Sequence, residues 1–162
     1  MHRRLGITAG MAVVLLALTA PFASAAEPDT QAFEVSGSMN LEGLCAFTLE
    51  FDYVVTGTVT SFFDDAGVLV ARERHVVETD TLRANGKTAV GTAYRANIRV
   101  TFDSAGNTLS RYSSGTVTKL TLPDGSSFFS VGRVDFLEDG GPAFTPTVGR
   151  SGDIAALCAA LG

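Results

Sequence analysis

An alternation of apolar and polar residues within Cys45 to Phe63 constrains the fold more than any other feature of this sequence. The even-numbered positions are mainly threonine and acidic residues, whereas the odd-numbered positions are apolar or small. The odd-numbered set is Cys45, Phe47, Leu49, Phe51, Tyr53, Val55, Gly57 and Val59. A repeat of two residues places alternate side chains on opposite faces of a β-strand, whereas a helix would distribute them around its circumference. The segment therefore predicts a strand with one dry face and one wet face.

Other segments rich in Thr, Val and Phe predict further strands along the chain. They cover Phe33–Leu41, Val68–Arg83, Lys87–Phe102, Thr108–Leu122 and Ser126–Leu137. The alternation within Lys87–Phe102 also predicts which residues share a face. The expected apolar face carries Thr88, Val90, Tyr94, Ile98, Val100 and Phe102. The expected polar face carries Lys87, Arg95, Asn97, Arg99 and Thr101.

Short turn sequences separate the predicted strands and indicate how they connect. They are Asp64–Gly67, Asn85–Gly86, Asp103–Asn107 and Pro123–Gly125. Each contains a residue that can adopt a positive φ, so each is expected to join two antiparallel neighbours. The predicted strands exceed the usual length of about 5 or 6 residues and contain internal glycines, so we expect them to bend. The predicted fold class is all-β, an antiparallel up-and-down small barrel, with a β-sandwich as the alternative.

The end of the chain differs in composition and predicts a short C-terminal helix over residues 151–161. Ser151 fits the N-cap position, and Ile154, Leu157, Cys158 and Leu161 lie on one helical face. Two prolines and three glycines in residues 138–150 predict a loop between the barrel and this helix. We therefore expect a single β-barrel-like domain over residues 26–162, ending in the helix.

The first 25 residues have the order of a signal peptide. Arg3 and Arg4 precede an apolar stretch at residues 11–20, and a small-residue site, Ala23-Ser24-Ala25, follows. This order predicts cleavage after Ala25 and a secreted, extracellular protein. An uncleaved membrane anchor is the alternative, because the apolar residues from 5 to 26 could span a bilayer. The small-residue site favours cleavage, and no later segment is apolar and long enough to cross a membrane.

Export determines what is expected of the two cysteines, Cys45 and Cys158. Disulfides form and persist in oxidising compartments outside the cytoplasm. We therefore expect a Cys45–Cys158 disulfide that attaches the terminal helix near the start of the first long strand. Two free thiols are the alternative.

The charge of the chain limits its partners. The sequence has 12 Lys and Arg against 17 Asp and Glu. Removing Arg3 and Arg4 with the leader leaves 10 against 17, a net charge of −7. An acidic surface repels phosphate, so we expect no nucleic-acid partner and no binding to anionic membranes. The simplest interpretation of the charge is that it keeps an exported monomer soluble.

Four short motifs occur in a recognisable order after the leader. They are Cys45-Ala-Phe47, the Phe-Phe-Asp-Asp-x-Gly turn at 62–67, Asn-Gly-Lys-Thr at 85–88 and Leu-Cys-Ala-Ala-Leu at 157–161. In this arrangement the chain resembles small exported bacterial β-barrel-like domains of unknown function. The resemblance implies an exported β-domain and implies no active-site residues.

The residues that could support catalysis are few. After the leader, the one histidine is His75, within Arg72-Glu73-Arg74-His75, which is typical of a charged strand exterior. Glu50 and Asp52 share one strand face, but that face also carries several threonines and is expected to be solvated. With one histidine and two cysteines predicted to be oxidised, a zinc site is not expected, and nucleotide-binding glycine motifs are absent. We expect no metal, no cofactor and no catalytic residue.

The predicted interior face is the remaining candidate site. Its aromatic residues are Phe47, Phe51, Tyr53, Tyr94, Phe102 and Phe136. In a narrow barrel these rings fill the core, and in a wider barrel they line a pocket for a small apolar ligand. The favoured function is non-catalytic binding of such a ligand or of an extracellular partner. The alternatives are a barrel enzyme of the isomerase or cyclase type and an envelope structural protein.

Overall fold

A computed structural model describes residues 27–136 and 144–162. The predicted signal peptide and residues 137–143, which include part of the predicted loop, lie outside the described residues. The elements are β1 (Asp29–Leu41), β2 (Leu49–Phe63), β3 (Leu69–Ala84), β4 (Lys87–Gly91), β5 (Tyr94–Phe102), β6 (Thr108–Thr121), β7 (Ser127–Asp135), β8 (Val148–Arg150) and α1 (Ile154–Leu161).

The strands form one antiparallel sheet that follows the order of the chain. β1 pairs with β2, β2 with β3, β6 with β7, and β7 with β8. β4 and β5 each pair with β3 on one side and with β6 on the other, so these four strands complete a closed circuit. The predicted all-β, up-and-down antiparallel barrel with a C-terminal helix is confirmed. The sandwich alternative is wrong, because the described strands belong to a single eight-stranded sheet.

Two strand starts differ from the sequence-based expectation. β1 begins at Asp29 rather than Phe33, and β2 begins at Leu49 rather than Cys45. The chain turns away from the sheet before β2, where Gly43 has a φ of 80°. Within β2 the predicted alternation is confirmed, because Leu49 is buried while its neighbour Glu50 is exposed.

The predicted faces of β4 were wrong, while those at the start of β5 were right. Ala89 is 0% exposed and Val90 is 56% exposed, so Val90 faces outward although Tyr94 faces inward. Thr81 of β3 pairs with Val90 of β4, and Glu78 of β3 pairs with Tyr94 of β5. Between these two pairs, the three residues 91–93 lie opposite only the two residues 79 and 80 of β3. One extra residue in a strand reverses the faces beyond it.

Gly91 explains why this irregularity occurs here. A Cβ added to Gly91 would lie 2.0 Å from the backbone oxygen of Asp80, so only glycine permits this close approach of β4 to β3. The requirement arises from packing between two strands, and the alternation within one strand does not reveal it.

One end of the barrel is filled by an apolar core that α1 covers. Nine buried residues form it: Leu49, Leu82, Ala89, Leu120, Leu122, Phe128, Phe144, Leu157 and Leu161. The side chain of Asp153, rather than the predicted Ser151, caps α1 by accepting a hydrogen bond from the Ala156 amide at 3.0 Å. The predicted Cys45–Cys158 disulfide is confirmed, with 5.5 Å between the two Cα atoms. It fixes α1 to the segment that precedes β2.

The predicted Asn85–Gly86 hairpin is confirmed and also contacts the helix. Asn85 and Gly86 have φ angles of 51° and 75°, as a two-residue turn of this kind requires. Asn85 Nδ2 donates a hydrogen bond of 3.1 Å to the Leu161 carbonyl at the end of α1.

We predict that Asn85→Ala lowers the free energy of unfolding by about 1–2 kcal/mol. Alanine tolerates the left-handed backbone less well than asparagine and cannot make the hydrogen bond. Urea denaturation measures the change. Asn85→Gly is the matched control, because it tolerates the backbone and loses only the side-chain bond, so its loss should be smaller. An Asn85→Ala variant as stable as the parent would contradict this account of the turn.

Candidate functional site

The inner face of the barrel lines a partly open cavity of about 390 Å³ beside the core. Side chains from β1, β2, β3, β5, β6 and β7 line it, together with Phe144. Much of the wall is aliphatic: Val35, Met39, Val55, Val76, Ala96, Ile98, Val117 and Val134. The barrel interior is therefore packed at the α1 end and forms a pocket along the rest of its length.

Four of the six predicted aromatic residues line this cavity: Phe51, Tyr53, Tyr94 and Phe136. The Phe51 ring meets the Phe144 ring edge-on at 5.5 Å between centroids, and it lies 5.8 Å from the Tyr53 ring. Phe51 and Tyr53 follow the predicted parity of β2, so the sequence was sufficient to place these two residues on the inner face.

The other two aromatic residues lie elsewhere. Phe47 packs against the core beneath α1, because β2 has not yet begun at this residue. Phe102 lies at the end of β5, where the pairing with β6 shifts register between Thr101 and Phe102. Its ring contacts the Arg72 guanidinium, 6.0 Å from the centroid. Neither residue contributes to the cavity wall.

Two acidic residues of β3, Glu78 and Asp80, also line the cavity. Asp80 is one of the most buried polar residues, with an exposed fraction of 1%. Its Oδ2 accepts hydrogen bonds of 2.8 Å from the Tyr94 hydroxyl and from Thr118 Oγ1. Its Oδ1 accepts no hydrogen bond from an N–H or hydroxyl group of the described residues.

Irregularities in the neighbouring strands deliver both donors to Asp80. Tyr94 is the first residue of β5, immediately after the extra residue that separates β5 from β4. On β6 the register shifts between Thr116 and Thr118, so Val117 has no partner on β7. This second bulge turns Thr118 inward, and Thr118 is 0% exposed.

Burial changes the acidity of all three groups. Burial, and then the charge of the neighbouring Asp80, raises the pKa of Glu78 to about 7. Burial likewise raises the pKa of Asp80, against the opposing effect of its hydrogen bonds with Thr118, Tyr94 and a protonated Glu78. Burial and the two nearby carboxylates raise the pKa of Tyr94 far above its ordinary value, so its hydroxyl keeps its proton. Near neutral pH the acid pair Glu78/Asp80 can therefore gain or lose a proton.

Two arginines line the cavity away from the acid pair, and both contact aromatic rings. The Arg74 guanidinium lies 5.8 Å from the centroid of the Phe33 ring, and the Arg111 guanidinium lies 5.0 Å from that of Phe136. Arg74 precedes Glu78 by four residues on β3, a distance of about 13 Å at the usual rise of a strand. The cavity thus has an acidic end next to the core and a basic end remote from it.

The residues that the sequence offered as candidates for catalysis lie on the outer surface. His75 is exposed, and its Nδ1 lies 2.6 Å from Asn97 Oδ1 on β5. The Asp52 carboxylate pairs with Arg83, and Glu50 is exposed. None of these three side chains lines the cavity.

Sequence reasoning missed Glu78 and Asp80, although a signal for them existed. On β3 the buried residues Val76 and Leu82 have the same parity as Glu78 and Asp80. Two acidic residues between two inward-facing apolar residues indicate that carboxylates lie on the inner face. The irregular alternation at the start of β3, where arginines share that parity, obscured this pattern.

No protein-family model, no curated protein and no solved structure matches this chain. Within the part of the chain that the structure describes, no helix is long and apolar enough to span a membrane. In the same residues, no group of three or more His, Cys, Asp and Glu side chains is arranged to hold a metal ion.

Proposed function

We propose that this protein is exported and binds a small, largely apolar molecule inside the barrel, without catalysing a reaction. The cavity is the observation that carries the proposal. Its volume of about 390 Å³ falls within the range of small-molecule sites, and its wall is mainly aliphatic and aromatic with a few polar groups. A packed barrel core would leave no space of this size.

The chemistry of the wall supports an apolar ligand. Burial of apolar ligand surface stabilises a complex by about 25 cal/mol per Å² before the costs of binding. The rings of Phe51, Phe136 and Phe144 provide broad apolar contact surfaces. The Tyr53 hydroxyl offers a polar contact to orient the ligand.

Export is supported by the leader and by the disulfide. The order of residues in the leader is that of a secretory signal, and the Cys45–Cys158 bond is consistent with an extracellular location. We propose that the exported form is a monomer beginning at Ala26. A ligand-carrying or ligand-sequestering role outside the cell fits such a molecule.

A catalytic function of the isomerase or cyclase type is the second candidate, and one observation favours it. Glu78, with a pKa of about 7, lies in the cavity beside Asp80 and could exchange protons with a bound substrate. Binding is favoured over catalysis because the hydrogen bonds from Tyr94 and Thr118 hold Asp80 Oδ2, and Tyr94 keeps its proton. Turnover of a ligand that is lost in Glu78→Gln would establish the catalytic alternative.

Binding of an external partner has weaker support. Phe128 and Phe129 are adjacent on β7, so their rings lie on opposite faces of the sheet. Phe128 is 2% exposed and packs in the core, whereas Phe129 is 38% exposed. One partly exposed ring does not define an interaction surface comparable with the cavity.

Native mass spectrometry of protein collected after export tests the proposed function. We expect a monomer of residues 26–162 less two hydrogens, carrying a stoichiometric extra mass that organic solvent releases. The released compound identifies the ligand class. A bare monomer that also takes up no n-octanol would contradict the proposal.

We predict that Ala96→Leu weakens the binding of n-octanol by at least about tenfold, or about 1.4 kcal/mol. Ala96 lines the cavity and is 6% exposed, so a larger side chain fills space that the ligand needs. Calorimetric titration measures the affinity, and urea denaturation confirms that the variant folds. Ala32→Leu is the matched control, because Ala32 is exposed on β1 outside the cavity. Equal affinities for the two variants would place binding outside the cavity.

A further inference from the structure

We propose that the ligand of this cavity is an apolar amine, whose ammonium group binds between Asp80 and Glu78 while its hydrocarbon body lies along the apolar wall. This inference rests on the proposed binding function and specifies the chemical class of the ligand. Three features of the acidic end of the cavity support it.

The first feature is the Asp80 carboxylate oxygen that lacks a partner. Asp80 is 1% exposed and lines the cavity, and its Oδ1 accepts no hydrogen bond from an N–H or hydroxyl group of the described residues. A protonated Glu78 carboxyl can donate to Asp80, and this donor is lost when Glu78 ionises. The Tyr94 and Thr118 hydroxyls have one proton each, and both donate to Oδ2. A buried acceptor without a donor is unfavourable, so Oδ1 favours a ligand that brings a donor.

The second feature is the absence of a positive counter-charge at this end. None of the described residues forms an ion pair with Glu78 or Asp80. The groups that face the pair from β5 and β6 are the neutral hydroxyls of Tyr94 and Thr118, and Tyr53 lines the cavity from β2. The cavity's two arginines, Arg74 and Arg111, contact the rings of Phe33 and Phe136 instead.

The third feature is the match between the pair and an ammonium group. An ammonium carries three N–H donors and no acceptor, so it can donate to Asp80 Oδ1 and to Glu78 at once. A carboxylate ligand would place like charges together at this end and would be disfavoured. The adjacent residues Val76, Ala96 and Val117 are apolar and can contact the hydrocarbon part of an amine.

The titration of the pair gives the inference a pH signature. An ammonium of ordinary alkylamine basicity keeps its charge below about pH 10. Glu78 has a pKa of about 7, so it is mainly protonated at pH 6 and mainly ionised at pH 8. Binding of a cation to the ionised pair should therefore be about tenfold weaker at pH 6 than at pH 8. A neutral ligand of the same shape should show no such change.

Calorimetric titration with three matched probes tests the inference on the exported protein, residues 26–162. The probes are n-octylamine, n-octanol and n-octanoate, each below the concentration at which it aggregates. At pH 8 we expect the amine to bind at least about tenfold more tightly than the alcohol, a difference of about 1.4 kcal/mol, and the carboxylate to bind most weakly. Glu78→Gln should reduce amine affinity about tenfold and change alcohol affinity by much less, which removes the preference for the amine.

The controls separate this inference from the proposed function. Glu50→Gln removes an exposed carboxylate on the outer face and should leave all affinities unchanged. Asp80→Asn provides a second test at the partnerless oxygen and should also reduce the preference for the amine. If octanol and octylamine bind equally, or if the amine preference survives in both cavity variants, the inference is wrong while the binding function stands. If none of the three probes binds, the proposed function fails as well.

Discussion

Replacing both Cys45 and Cys158 with serine should lower the free energy of unfolding by about 3–5 kcal/mol. The bond joins residues separated by 113 positions and therefore closes most of the described chain into one loop. Closing a loop of about 100 residues removes about 4–5 kcal/mol of chain entropy from the unfolded state. The effect should be concentrated at α1, because Leu157 and Leu161 complete the core and the bond fixes their helix to the segment before β2.

Urea denaturation with and without reductant measures this effect. Reduction of the parent protein should lower its midpoint to that of the double-serine variant. The variant itself should not respond to reductant, which controls for effects of the reagent. If the oxidised parent and the variant unfold at the same urea concentration, the bond does not stabilise the fold in the way described.

Glu78→Gln should stabilise the protein at pH 8 by up to about 3 kcal/mol and have little effect at pH 4. The folded state raises the pKa of Glu78 from 4.5 to about 7, which means that it binds the proton more tightly than the unfolded chain does. Each pKa unit corresponds to about 1.4 kcal/mol. The parent should therefore lose stability as the pH rises from about 4.5 to about 7, and glutamine should remove this part of the loss.

Chemical denaturation of both proteins across this pH range tests the sign as well as the size. Asp80 has a raised pKa and remains in the variant, so some loss of stability with rising pH should persist. Glu50→Gln should follow the parent at every pH, because Glu50 is exposed. A Glu78→Gln variant that is less stable than the parent at pH 8 would contradict the proposed environment of the pair. A group that costs stability in the absence of ligand is expected where function requires it.

The sequence predicted the fold class well because the decisive signals were local. The alternation within β2 defines its two faces, and the Asn85–Gly86 turn specifies an antiparallel hairpin. The disulfide followed from the leader and the cysteine count. These features depend on residues close together in the chain, where pattern and turn chemistry are informative.

The faces of β4 were mispredicted because contacts between strands determine them. The close approach of Gly91 to the Asp80 backbone produces an extra residue between β4 and β5, and this reverses the parity that the alternation predicted. The bulge at Val117 has the same kind of effect on β6. A regular alternation rule has no means of locating such irregularities.

The candidate site was only partly predicted, because irregularities between strands also determine which residues reach the cavity. Phe51 and Tyr53 lie in the cavity because the regular parity of β2 carries them there, whereas Phe47 precedes β2 and Phe102 lies at a register shift. The acid pair was missed because charged residues are usually exposed. The buried Asp80 carboxylate is stabilised by hydrogen bonds from the Tyr94 and Thr118 hydroxyls, which the two bulges bring to it from other strands.

Methyl-labelled NMR of the protein with n-octanol tests the central claim, that the barrel interior is the ligand site, most directly. Our account predicts intermolecular nuclear Overhauser effects from the octyl chain to the methyl groups of Val76, Ile98 and Val134, which line the cavity. Leu49 and Leu157, which are 0% exposed in the packed core, should show none. Effects confined to outward-facing methyl groups such as those of Val54 and Val90 would contradict it, as would saturable binding without contact to the three cavity residues.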